Sequence, residues 1–193
     1  MKPLLMAAAL TLLAACGAPA KLNYYTLSAA QSAAGGAAPS RPLKIYVGPV
    51  TIPEAVDRPQ MVMRVDANQV ELVDLDRWAE PLKTAIPRLV ADTLARELAA
   101  STVMTSRQSA TLTFDYRVSI DVQRFEFSAG DGAVVDALWT IRSAKNDAPR
   151  SARSEVREPA GSRDPQAMAA TQSRALEKVA RDIAAAIRGL EQP

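Results

Sequence analysis

The chain has 193 residues, 48% of them hydrophobic and 23% charged, a composition that supports one packed core. Its 23 Lys and Arg against 21 Asp and Glu leave a net charge of only +2, too little for a broad phosphate-binding surface, so nucleic acid is a poor first partner. With no histidine and a single cysteine, Cys16, the chain lacks Ser-His-Asp and Cys-His catalysis, the usual zinc and non-haem iron sites, and any intramolecular disulfide.

Met1-Lys2 is a short basic start, and Leu4 to Ala15 is an apolar run broken only by Thr11, the order of a secretory signal. The run is too short to span a bilayer, which takes roughly 20 apolar residues, and it ends at Gly17, Pro19 and Lys21. Leu13-Ala14-Ala15-Cys16 resembles a bacterial lipobox, so residues 1–15 are expected to be removed and the Cys16 thiol to carry the lipid. Gly17 stands where the resemblance would place the Asp of an inner-membrane retention signal. That implies the outer membrane, periplasmic face, as the location.

Leu22 to Leu27 reads as a short strand. Ser28 to Pro42, with six Ala, three Ser, two Gly and two Pro in 15 residues, reads as a flexible loop, so residues 16–42 form a lipidated N-terminus ahead of one domain over 43–193. Leu43, Ile45 and Val47 alternate with Lys44, Tyr46 and Gly48 in a half-buried strand. Met61 to Val65 and Gln69 to Val73 form a hairpin about Asp66-Ala67-Asn68. A helix follows from Pro81 to about Ala100, with Leu82, Ile86, Leu89, Thr93 and Leu98 on one face and a kink expected at Pro87.

From Thr111 to Gln123 every even position is apolar and every odd one polar, which predicts a long antiparallel strand with one wet face. At Phe125 and Phe127 the phase reverses, so a bulge is expected there. Gly130-Asp131-Gly132 turns the chain into a strand over Ala133 to Ser143, and Asn146-Asp147 turns it again. Pro149 to Glu158, bearing Arg150, Arg153 and Arg157, suits a charge-protected edge strand. Asp164 to Gly189 is a long helix with Met168, Ala175, Val179, Ile183 and Ile187 in one stripe. The sum is an α+β fold: an antiparallel sheet with two helices packed on one face.

Motifs for chemistry are missing. Gly130-Asp131-Gly132 is not followed by a phosphate loop, and no GxSxG or SxxK nucleophile occurs. Asp74, Asp76 and Glu80 lack the glycine of a calcium loop and read as a solvated helix start. No catalytic residue, metal site or cofactor is expected.

Two runs exceed what a core requires. VGPVTIPEAVDRPQ, from Val47 to Gln60, sets three prolines and an Asp-Arg pair at a strand exit, and RWAEPL, from Arg77 to Leu82, sets an aromatic and a guanidinium before a helix. In the structural reading Asp57 caps a turn, Arg58 pairs with it or with Glu80, and Trp78 plugs the end of the core. In the interface reading Pro53, Asp57, Arg58, Pro59, Gln60, Arg77 and Trp78 form a partner-binding surface, Arg and Trp being enriched as anchors. The two are not exclusive.

Together with Tyr24-Tyr25-Thr26-Leu27 and the lipobox, these runs resemble the ABC-type transport auxiliary lipoproteins, the PqiC-like family. The resemblance implies a non-enzymatic, lipid-anchored periplasmic accessory of an intermembrane lipid transport system. Its implied partners are a mammalian-cell-entry (MCE) type periplasmic protein and the associated ABC permease and ATPase, with docking at the outer membrane. A neighbouring copy of the chain, in a homo-oligomer, is a further candidate partner. The rival reading is a periplasmic carrier that shields an acyl chain itself.

Overall fold

Among the described residues the chain forms eight strands and two helices, and one of the strands, the three-residue Thr102–Met104, has no counterpart in the sequence reading. The strands are β1 (Asn23–Tyr25), β2 (Lys44–Thr51), β3 (Gln60–Arg64), β4 (Val70–Trp78), β5 (Thr102–Met104), β6 (Tyr116–Ser128), β7 (Gly132–Ser143) and β8 (Arg150–Glu158). Helix α1 is Leu82–Glu97 and α2 is Pro165–Glu191. This computed structural model describes residues 20–30, 41–98, 102–105, 113–145 and 148–191. The signal segment, Cys16, most of the Ala-Ser-Gly-Pro loop and the Asn146-Asp147 turn lie outside the described residues.

Strand β6 is the spine. One of its edges pairs antiparallel with β7 throughout, and β7 pairs antiparallel with β8, which closes that side of the sheet as a charged edge. The other edge of β6 is shared: its first half pairs parallel with β2, and its last residue, Ser128, meets Arg64 of β3. Beyond β2 lies β5, and beyond β3 lie β4 and then β1. The sheet is thus mostly antiparallel but mixed, with β1–β4 and β2–β5 parallel as well. Side-chain alternation is the same for both directions of pairing, so the sequence pattern is silent on this point.

Both helices cover one face, and the α+β architecture is as expected. Tyr116, Val118, Ile120 and Val122 are buried there, against Ile86, Leu89 and Val90 of α1 and the predicted Met168–Ile187 stripe of α2 in one core. The phase reversal is a bulge: the β6–β7 register shifts between Val122 and Arg124, which keeps Phe125 and Phe127 on the core side. Strand β6 begins at Tyr116, later than the alternation predicts. Just before it, the Asp115 N–H donates to the Lys44 carbonyl and the Lys44 N–H to Asp115 Oδ2, both at 2.8 Å, while Phe114 lies against Tyr46. Helix α1 runs unbroken through the buried Pro87 and stops at Glu97, with Leu98 as its cap.

Edge strand β8 is fastened to α2 by polar contacts. Ser154 Oγ accepts from Trp139 Nε1 at 3.0 Å and donates to Asp182 Oδ2 at 2.6 Å, while the carboxylate of Glu158 is held by Lys178 and Arg174. Asp164 starts α2 as its N-cap, accepting the Ala167 N–H at 2.7 Å. On the far face of the sheet Arg153 Nε donates to Asp136 Oδ1 at 2.8 Å, and this bond holds the Asp136 carboxyl below the usual carboxylate range.

The acidic cluster departs from the sequence reading. Asp74 and Asp76 belong to β4 and not to a helix start. Strand β4 is longer than predicted because the register jumps from Met61↔Val73 to Gln60↔Arg77, looping Asp74, Leu75 and Asp76 out as a bulge. Strand β1 then pairs with the far side of that bulge, and Leu27 just beyond it is fully buried.

Candidate partner-binding cleft

The β3–β4 ladder brings the two unexplained runs together across 17 residues of sequence. Gln60 pairs with Arg77, and the Trp78 N–H donates to the Pro59 carbonyl at 2.7 Å, so DRPQ and RWAEPL lie side by side where β3 starts and β4 ends. The Ala79 N–H continues the contact to the Tyr25 carbonyl at 2.8 Å. The result is a half-open cleft of about 370 Å³ lined by Asp57, Arg58, Pro59 and Trp78 to Leu82.

Trp78 is 6% exposed and its ring lies 6.4 Å from that of Phe125, tilted by 53°. It is core that also forms the cleft floor, as the plug reading anticipates. Pro59, Pro81 and Leu82 extend the apolar lining. The acidic members are already engaged: Asp57 with Lys83 Nζ at 2.6 Å and Glu80 with Arg88. The internal pair between Arg58 and either acid is therefore not formed, because the first turns of α1 present Lys83 and Arg88 to the same carboxylates. Arg58 is exposed and has no ion-pair partner among the described residues. Arg77, half-buried opposite Gln60 in the ladder, keeps a buried Nε without a hydrogen-bond partner among the described residues.

Not every predicted site residue joins this cleft: Gln60 and Arg77 pair with each other at its edge and do not line it. Pro53 caps the 3-10 turn Glu54–Val56 and lines a separate groove of about 200 Å³ with Val56, Val62, Val70 and Phe125. Conversely Ala79, Glu80, Pro81 and Leu82 line the cleft, although the sequence reading points only to Arg77 and Trp78 in their run. The available signal is the proline three residues beyond an aromatic at a helix start. Cys16, the expected lipidation site, lies outside the described residues, and no described helix is long and apolar enough to cross a membrane.

Among solved structures, the fold is similar to protein XCC0632 from Xanthomonas campestris, with a TM-score of 0.70 and 21% identity over 88% of this chain and 97% of that one. A second structure, of an uncharacterized protein, matches with a TM-score of 0.62 and 16% identity over 86% and 99%. A PelC dodecamer from Paraburkholderia phytofirmans matches at a TM-score of 0.44 and 20% identity over 75% and 91%. No curated protein matches the chain significantly. The family model described as the ABC-type transport auxiliary lipoprotein component matches residues 25–184, a span that includes both runs of the cleft, and the chain belongs to that family.

Proposed function

We propose that this auxiliary lipoprotein is a non-enzymatic accessory of an MCE-type intermembrane lipid transport system, held on the periplasmic face of the outer membrane by acyl chains on Cys16. Its cleft docks the periplasmic part of the transporter. The observation that carries this reading is the guanidinium of Arg58, without an ion-pair partner among the described residues, beside an apolar floor of Trp78, Pro59, Pro81 and Leu82. Arg58 offers five donors in a planar fork, suited to a carboxylate or a pair of carbonyls on a partner. Ile45, Leu89, Phe125 and Val179 fill the space between sheet and helices, which favours docking over carriage of a lipid inside the domain.

The test is Arg58→Ala. An exposed arginine without an ion pair adds little to folding, so the melting temperature is expected to stay put, while binding to the MCE-type protein weakens by about 2 kcal/mol, as loss of an interface anchor does. Full co-purification of the variant would refute the docking role. The anchor is tested separately by Cys16→Ser, which removes the only thiol in the chain and is expected to abolish metabolic palmitate labelling. Undiminished label would overturn the anchor.

A further inference from the structure

Tyr24 and Leu75 are large apolar side chains left in solvent, at 61% and 44% exposure. The β1–β4 ladder sets Tyr24 beside Arg77 and Asn23 beside Asp76, and Leu75 precedes Asp76 on β4. Asn23 and Tyr25 both donate to Asp76 Oδ1 at 3.0 Å, which fixes them on one face. Strand alternation therefore places Tyr24, Leu75 and Arg77 on the other, with exposed Lys21 ahead of β1. Asp74 and Asp76 turn away from that group.

The length of chain ahead of β1 limits where this patch lies. Fully extended backbone gives at most about 22 Å between Cys16 and Leu22 and about 29 Å between Cys16 and Tyr24. A folded chain of this size is roughly 40 Å across. If Cys16 carries the lipid, the edge where β1 begins is the edge nearest the bilayer, and the patch cannot swing to the far side. Resting on the anchor assigned above, we infer that this edge seats on the membrane: Tyr24 and Leu75 enter the headgroup region, and Lys21 and Arg77 lie at the level of the phosphates. A tyrosine ring has an apolar body and a polar tip and suits that depth, and the two cations complement anionic headgroups.

The experiment uses the full-length acylated protein in vesicles of phosphatidylethanolamine and phosphatidylglycerol. Single spin labels are placed by Tyr24→Cys, Leu75→Cys and, as a control on β7, the exposed Leu138→Cys. All three positions are exposed, so the substitutions leave the core intact. Oxygen partitions into lipid and a nickel chelate into water. The oxygen-to-nickel collision ratio is expected to be several-fold higher at positions 24 and 75 than at 138. Equal ratios at the three positions would overturn the inference. So would low collision rates with both reagents at 24 and 75, which would show the patch covered by protein, such as a second copy of the chain. Mass spectrometry of the N-terminal peptide in the same sample separates the two failures: Cys16 without acyl chains overturns the anchor and the seating with it, whereas an acylated Cys16 with water-exposed labels overturns the seating alone.

Discussion

Trp78→Ala is expected to lower the stability of the domain by about 3–4 kcal/mol, the usual cost of truncating a buried aromatic. The ring is 6% exposed and packs on Phe125, itself in the middle of the core face of β6. Its removal leaves a cavity below the cleft, at a point where the backbone is pinned by the Trp78 N–H bond to Pro59 and cannot easily close in. For a domain of this size each kcal/mol moves the melting temperature by roughly 2–4 °C, so a fall of about 6–16 °C is expected in thermal unfolding. A shift of a degree or two would show that the ring is not core. Read beside Arg58→Ala, this variant separates the two contributions to one cleft: loss of Trp78 destabilises the fold, whereas loss of Arg58 leaves the fold and removes binding.

Gly132→Ala is expected to cost about 3 kcal/mol or more, although it adds only one methyl group. Gly132 opens β7 at φ +77°, in the left-handed region where a side chain costs about 1–2 kcal/mol. A Cβ there would sit 2.7 Å from the Ala160 nitrogen and 2.9 Å from Pro159 Cα, and closer still to the Glu158 carbonyl oxygen. These are backbone atoms at the end of β8, where the buried Glu158 is clamped by Lys178 and Arg174 of α2, so relief requires moving the strand end off the helix. Chemical denaturation should show the loss. Gly130, with nothing within 4 Å of its Cβ position and no positive φ, is the control: Gly130→Ala should change stability far less.

Where a pattern is carried by neighbours in sequence, reading it ahead of the structure works. The one-residue slip at Phe125 foretold the β6 bulge, because burying both Val122 and Phe125 on one face leaves the backbone no other solution. Charges on Arg150, Arg153 and Arg157 marked β8 as an edge, and the stripe from Met168 to Ile187 marked the buried face of α2. The bulge in β4 was not legible, since Asp74, Leu75 and Asp76 read as a polar approach to a helix. Only pairing with β3 on one side and β1 on the other keeps those residues in a strand.

The cleft shows the same division. Its residues stood out in sequence because prolines and an Asp-Arg pair are costly ornaments for a strand exit, and because Trp before a helix start is unusual for solvent. Their meeting was decided by the Gln60↔Arg77 register, and Pro53 was sent elsewhere by the intervening 3-10 turn. Which carboxylate each cation would hold was also a tertiary outcome. Asp57 is adjacent to Arg58 in the chain, yet it pairs with Lys83 on α1, because the two sit in the tight turn that closes the 3-10 segment, with the Arg58 N–H donating to the Val56 carbonyl, while the helix start brings Lys83 to the Asp57 carboxylate. Composition, periodicity and the lipobox were thus enough, taken alone, for the α+β class, the core stripes and the expectation of a lipid anchor, all of which depend on local spacing and transfer free energy. Strand direction, the β4 bulge, the lack of an ion-pair partner for Arg58 among the described residues and the exposure of Tyr24 and Leu75 depend on contacts between residues far apart in the chain, and only the folded structure decides them.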